Sequence, residues 1–142
     1  MIIPDLNLLL YAHISGSRHH DVARSWWEEL LSGHDQVGIP GPVALGFVRL
    51  TTGRRVLSSP LSIDQALDVV GSWLGQPNAE YLSDSPVIFH KACELLRSMG
   101  TAGNLTTDAQ IAATAIEYSA VVATNDADFS RFPGVRTVNP LR

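Results

Sequence analysis

Four aspartates occupy positions at which a parallel sheet would present their side chains at one edge. Asp5 directly follows the first apolar segment, Asp126 and Asp128 directly follow a later apolar run, and Asp108 lies in the first turn of a helical pattern. Carboxylates held close together repel one another, and their pKa values rise unless a cation is bound. Hard oxygen ligands of this kind suit Mg²⁺ or Mn²⁺. A metal site built this way can bind a phosphodiester and lower the pKa of a bound water.

Each of these aspartates also has a purely structural interpretation. Asp5 could cap the helix that follows it. Asp108 could interact with the helix dipole, which favours an acid in the first turn by about 0.3–1 kcal/mol. Asp126 and Asp128 could form the turn after a strand. For any one aspartate alone the structural interpretation is favoured, but the joint placement of all four at one sheet edge favours the metal site.

The elements that must position these acids follow from the hydrophobic pattern. Segments typical of strands alternate with segments of helical spacing, which predicts an α/β fold with a central parallel sheet and helices on both faces. In such folds ligands bind at the carboxyl ends of the strands, near the switch in strand order. The predicted strands are Met1–Pro4, Gln36–Ile39, Ala79–Leu82, Ala120–Thr124 and Val135–Val138. The predicted helices are Leu6–Ala12, Asp21–Leu31, Pro42–Thr52, a helix capped by Ser62 that reaches Leu74, Pro86–Met99, and a helix from a capping box at Thr107 to about Ser119.

Length and composition narrow the class of protein. The 142 residues contain no repeat and no linker, so we predict a single domain over residues 1–142. Cys93 is the one cysteine, which excludes an internal disulfide and fits a reducing cytoplasm. No apolar run approaches the roughly 20 residues of a membrane helix. The net charge of −4 is unusual for a nucleic-acid binder, although bound cations would offset clustered carboxylates.

Four segments carry a resemblance to a known family. They are Pro4–Ala12, Gly103–Leu105 with the following Asp108-Ala109, Thr124–Phe129, and the shorter Phe47–Thr52. In these segments, whose order and spacing span nearly the whole chain, the sequence resembles a PIN domain of the VapC toxin family.

The resemblance implies a three-layer α/β/α domain that is a Mg²⁺- or Mn²⁺-dependent endoribonuclease toxin of a type II toxin–antitoxin system. It implies cleavage of structured RNA such as tRNA or ribosomal RNA, a homodimer, and inhibition by a small VapB-like antitoxin. By motif match, Asp5, Asp108 and Asp126 are the catalytic acids and metal ligands, and Asp128 is a nearby helper. Thr124 would orient a carboxylate or a water, and Asn104 would brace its loop.

Basic residues suited to RNA phosphates cluster after the third helix. Arg49, Arg54 and Arg55 form the densest basic group in the chain, and we expect them to contact RNA. The alternative is a solvated loop surface without a ligand. Arginine binds phosphate through a planar fork of donors, so a local patch can act even in an acidic protein.

One position departs from the family pattern. Gly46 stands where the family usually has a glutamate, and no acid occurs from Gln36 to Ser62. The site would then hold one metal ion instead of two, or recruit Asp128. This departure also motivates an alternative function, a PIN-like module that binds RNA or antitoxin without turnover. A phosphoryl-transfer receiver or phosphatase is disfavoured, because Asp5 stands alone and Lys91 is the one lysine.

Overall fold

Five parallel strands form one sheet in the computed structural model, which describes all 142 residues. The strands are β1 (Ile2–Pro4), β2 (Val37–Pro40), β3 (Ala79–Leu82), β4 (Val121–Ala123) and β5 (Arg136–Val138). Their order in the sheet is β3-β2-β1-β4-β5, and every neighbouring pair is parallel. The predicted α/β class with a central parallel sheet is confirmed.

Six α-helices connect the strands. They are α1 (Leu6–His13), α2 (His20–Ser32), α3 (Gly41–Thr52), α4 (Ile63–Leu74), α5 (Pro86–Met99) and α6 (Thr106–Glu117), with short 3₁₀ helices at Gly103–Leu105 and Ala127–Arg131. From β1 to β3 each new strand is added on one side of β1, and the chain then returns across the sheet to form β4 and β5 on the other side of β1. Right-handed crossovers therefore place α1–α4 on one face of the sheet and α5–α6 on the other. None of the six helices has the length and apolar character that crossing a bilayer requires.

The reversal of direction creates a switch point between β1 and β4. These two strands are neighbours in the sheet, but the chain leaves them toward opposite sides. Side chains that follow the two strands consequently meet over a crevice at the carboxyl edge of the sheet, where α/β proteins bind their ligands.

An aromatic cluster fixes the helices on the first face. The ring of Trp73 lies 4.7 Å from that of Phe47 and 5.5 Å from that of Trp27, in edge-to-face geometry at both contacts. All three side chains are buried. Such pairs add about 0.5–1.5 kcal/mol beyond the area that they bury. The cluster ties α2, α3 and α4 together and thereby holds the start of α3 against the sheet edge.

Most predicted element bounds differ from the structure by one or two residues, and the start of α6 shows why some do. The predicted capping box at Thr107 is wrong, because α6 begins at Thr106 with no side-chain cap. The 3₁₀ turn before it runs directly into the helix, with the Leu105 N–H donating to the carbonyl of Ala102. Asp108 is therefore the third residue of α6. The predicted cap at Ser62 is present as a full capping box with Gln65.

Candidate active site

One hydroxyl joins the acidic residues at the ends of β1 and β4. Pro4 pairs with Ala123 in the sheet, so Asp5 and Thr124 are the first residues beyond two adjacent strands. The Oγ1 of Thr124 donates to Oδ2 of Asp5 at 2.8 Å and accepts from the N–H of Asp126 at 2.9 Å. The resemblance implied that Thr124 orients a carboxylate, and the structure shows which one.

Asp5 is almost completely removed from solvent, with 4% of its surface exposed. Burial raises the pKa of its carboxyl, the hydrogen bond from Thr124 opposes that rise, and the charge of Asp126 adds to it. Asp5 stands at the N-cap position of α1 but makes no side-chain cap hydrogen bond. The strongest hydrogen bond to this side chain comes from Thr124, directly after β4, while the backbone N–H groups of Leu6 and Asn7 at the start of α1 also lower its pKa.

Asp108 has the most strongly perturbed carboxyl of this group. Burial first, and then the charges of Asp5, Asp126 and Asp128, raise its pKa from the ordinary 3.8 to about 7. A helix N-terminus favours the ionised form of an acid, so burial and negative neighbours outweigh it here. The four aspartates singled out by the sequence thus share one electrostatic environment.

Asp126 and Asp128 also have local structural roles. The Oδ1 of Asp126 accepts from the N–H of Asp128 at 2.8 Å and caps the 3₁₀ helix Ala127–Arg131. Asp128 forms an ion pair with Arg131 at 3.3 Å, and both side chains are exposed. Exposed pairs of this kind contribute little stability. The turn-forming interpretation of these two residues is therefore correct in part. Only Oδ1 of Asp126 takes part in the turn, and Oδ2 has no hydrogen-bond partner in the protein.

The donor set suits one hydrated divalent cation. Asp5, Asp108 and Asp126 have no lysine, arginine or histidine partner, so nothing in the protein neutralises them. No three acidic, histidine or cysteine side chains are close enough to form a complete ligand cluster by themselves. Mg²⁺ does not require one, because it keeps several waters and binds proteins through one or two carboxylates. The residues present therefore fit the ion that the resemblance implies.

The glycine at position 46 is explained by packing. Gly46 is buried in α3, and a Cβ added to it would lie 2.7 Å from Cδ2 of Leu6, the residue after Asp5. The leucine therefore fills the space toward which a side chain at position 46 would point. α3 therefore supplies no fourth carboxylate to the acids after β1 and β4.

The arginines expected to contact RNA are exposed, and none of them makes an ion pair or a side-chain hydrogen bond. Arg49 lies one helical turn after Gly46, and residues three apart share a helix face. Position 46 faces Leu6, the residue after Asp5, so Arg49 lies on the same side of α3 as that contact. Arg54 and Arg55 follow in the segment after α3. Their contact with RNA stays a prediction.

Two further side chains of the site region differ from expectation. Asn104 is exposed and makes no hydrogen bond in the protein, so the bracing role that the resemblance implied for it is not seen. Asn139, which the sequence reasoning missed, bonds through its amide nitrogen to Oδ1 of Asn125 at 2.9 Å. The one feature of the sequence that could have identified Asn139 is its position directly after the last strand, at the edge of the sheet where the acids lie.

Comparison with known proteins identifies the family. Residues 2–135 match the family model described as PIN domain. Ribonuclease VapC33 of Mycobacterium tuberculosis is 45% identical over 142 residues, which cover 100% of this chain and 99% of the relative. The chain belongs to the PIN-domain family of VapC ribonucleases. A second relative of this VapC chain, Ribonuclease VapC37 of the same organism, is 39% identical over 99% of this chain and 97% of the relative.

Solved structures show the same fold as this VapC ribonuclease. VapBC2 from Rickettsia felis, bound to a DNA fragment from its promoter, matches with a TM-score of 0.70 and 23% identity over 98% of each chain. VapC20 of Mycobacterium tuberculosis, described as a sarcin–ricin loop cleaving toxin, matches with a TM-score of 0.71 and 18% identity over 96% of this chain and 99% of the other. The prediction of a VapC-type PIN-domain ribonuclease is confirmed, and a receiver or phosphatase is set aside.

Proposed function

We propose that this VapC chain hydrolyses RNA phosphodiester bonds with one hydrated Mg²⁺ or Mn²⁺ bound among Asp5, Asp108 and Asp126, one or two of which contact the ion directly while the others hold it through its waters. The observation that carries the proposal is the convergence of the acids after β1 and β4, where one hydroxyl, that of Thr124, bonds to the Asp5 carboxylate at 2.8 Å and to the N–H of Asp126 at 2.9 Å. Burial and the charges of three neighbouring carboxylates also raise the pKa of Asp108 to about 7. Three acids that no basic residue neutralises make a site in which a divalent cation removes the repulsion. The bound ion supplies Lewis acidity and a more acidic water.

The protein's own residues fix the position of the carboxylates. Asp5 is buried and held by Thr124, so its charge does not move when RNA arrives. Asp126 is anchored through Oδ1, which directs its other oxygen away from the 3₁₀ turn. Preorganised charges of this kind stabilise a transition state without the cost of reorganising during the reaction.

Substrate and partners follow from the family. We propose structured RNA such as tRNA or ribosomal RNA as substrate, with Arg49, Arg54 and Arg55 contacting its phosphates. The toxin–antitoxin complexes among the structural neighbours support a VapB-like antitoxin as partner of this chain. We further propose that the toxin is a homodimer and that it acts in the cytoplasm.

The test is cleavage of total bacterial RNA by the purified protein with Mg²⁺ or Mn²⁺. We expect defined fragments that disappear with a chelator and in the Asp5→Ala and Asp108→Asn variants. Cleavage that persists in the Asp108→Asn variant would show that these acids are not the site.

A second candidate function rests on Gly46. Without a carboxylate from α3, the chain could bind RNA or antitoxin and fail to turn over. RNA binding by wild type in the complete absence of cleavage, with either metal, would favour this non-catalytic module over the nuclease.

A further inference from the structure

A second cavity lies beside the acids on the same edge of the sheet. It has a volume of about 210 Å³ and lies at the carboxyl ends of β4 and β5. Thr124 and Asp126 line it on the side of the proposed metal site. The remaining polar lining is Asn125, Ser130, Thr137, Asn139 and Arg142. The cavity is therefore continuous with the proposed active site through two residues of that site.

The lining of this cavity also contains hydrogen-bond donors. The Asn139 amide is fixed, since its nitrogen donates to Oδ1 of Asn125 at 2.9 Å and its oxygen accepts from the N–H of Leu141 at 3.0 Å. This pairing leaves the amide nitrogen of Asn125 without a partner in the protein. The guanidinium of Arg142 makes no ion pair. The cavity thus combines free donors of Asn125 and Arg142 with the carboxylate of Asp126.

We infer that this cavity binds the nucleotide next to the scissile phosphate of the RNA. The inference rests on the proposed function. The guanidinium of Arg142 contacts that nucleotide's phosphate, since arginine and phosphate form paired, charge-assisted hydrogen bonds. The free amide nitrogen of Asn125 donates to an acceptor on the base or to the 2′-hydroxyl. Such edge contacts are how proteins read unpaired RNA nucleotides.

The size of the cavity supports one unit of a polymer over a separate small ligand. Pockets for drug-sized ligands occupy about 300–1,000 Å³, and this one is smaller. Because Asp126 lines the cavity, an RNA bound at the acids can place its next nucleotide there. A nucleotide seated there would hold the neighbouring phosphate over the carboxylates, which makes Asn125 and Arg142 positioning residues.

Binding without cleavage isolates the contribution of Arg142. We would use the Asp108→Asn protein as parent and a fluorescently labelled, single-stranded oligoribonucleotide of random sequence as the probe. Arg142→Gln should raise the Kd about tenfold and reduce the slope of log K against log salt by about one. Arg136→Gln is the matched control, because it removes the same charge at the amino end of β5. Its Kd and salt slope should stay close to those of the parent, and equal effects of the two variants would overturn the inference.

Cleavage mapping tests Asn125 in the active protein. Asn125→Ala should change which nucleotides flank the cut sites in total RNA, and it should raise KM more than it lowers kcat. An unchanged pattern of cut sites in a folded variant would overturn the assignment of Asn125. If wild type cleaves nothing, the proposed function fails, yet the difference between Arg142→Gln and Arg136→Gln still decides whether the cavity binds RNA.

Discussion

The Oγ1 of Thr124 donates a 2.8 Å hydrogen bond to Oδ2 of Asp5 across 119 residues of sequence. The same oxygen accepts the N–H of Asp126 at 2.9 Å. One side chain therefore sets the positions of two acids that stand at the ends of neighbouring strands. It also opposes the effect of burial on the Asp5 carboxyl, whose pKa would otherwise rise further.

Thr124→Val should damage both stability and activity. The substitution keeps the shape but removes the hydroxyl, so the buried Asp5 carboxylate loses its donor and the Asp126 N–H loses its acceptor. An unsatisfied buried group costs about 1–3 kcal/mol, which urea unfolding would measure, and RNA cleavage should fall with it. Thr124→Ser is the matched control and should retain most of both. Equal behaviour of the two variants would contradict a role for the hydroxyl.

Asp108→Asn should stabilise the metal-free protein while abolishing cleavage. Ionised Asp108 is repelled by three carboxylates, and a neutral amide of the same size removes that repulsion. Thermal melting above pH 7 in a chelator should therefore show a higher Tm for the variant than for wild type. A Tm of Asp108→Asn below that of wild type would mean that the neighbouring carboxylates do not repel Asp108.

The contribution of Asp108 to the stability of the metal-free protein should fall as pH rises from about 4 to above 7. The pKa of Asp108 is about 7 in the folded protein and 3.8 ordinarily, so the folded state binds more protons across this window. The contribution is fully present below the ordinary value and is lost as pH passes the folded value. The raised pKa of Asp5 acts in the same direction.

Urea unfolding at a series of pH values would measure this dependence. Added Mg²⁺ should flatten it, because the ion favours the charged carboxylates. Asp108→Asn provides the control and should show a weaker dependence than wild type without metal. A stability difference between wild type and Asp108→Asn that stays constant across these pH values would contradict the assignment.

Gly46→Glu tests whether the site can accept a fourth carboxylate. The new side chain must displace the tip of Leu6, whose Cδ2 would lie 2.7 Å from the new Cβ. The end of this flexible side chain can shift at little cost, so this variant and the uncharged Gly46→Gln should both fold and should have similar stability without metal. Mg²⁺ should raise the Tm of the glutamate variant more than that of the glutamine variant. Equal shifts would place position 46 outside the metal site.

Arg49, Arg54 and Arg55 should increase the affinity for RNA without changing the rate of the chemical step. Replacing Arg54 and Arg55 with glutamine should weaken binding of a labelled single-stranded oligoribonucleotide and reduce the salt slope by about 1.4, close to 0.7 per phosphate contact. Arg136→Gln again serves as the control for lost charge. An unchanged salt slope in the double variant would favour the solvated loop surface.

Local patterns were sufficient to predict the acids but not the bond that joins them. Asp5 follows an apolar strand and Asp108 opens a periodic helix, so both could be placed at the sheet edge from their immediate neighbours. The hydrogen bond between Thr124 and Asp5 depends on β1 lying next to β4, which no window of sequence encodes. The expectation that Thr124 orients a carboxylate came from the family resemblance.

The parts that sequence reasoning missed have weak local signals. β5 has three residues, all exposed, so its hydrophobic pattern says little about what lies at its end. The cavity formed by Asn125, Asn139 and Arg142 depends on the pairing of β5 with β4. Likewise, the fit of Leu6 against Gly46 arises from the crossing of α1 and α3, which makes it a tertiary property.

The order of the strands also bears on how this chain is made in the cell. Asp5 is synthesised 119 residues before Thr124, which follows β4 together with Asp126. Because β1 needs β4 beside it to complete the acidic crevice, the growing polypeptide has no finished site until β4 has emerged from the ribosome. Translation up to that point therefore produces a chain whose acids are still far apart.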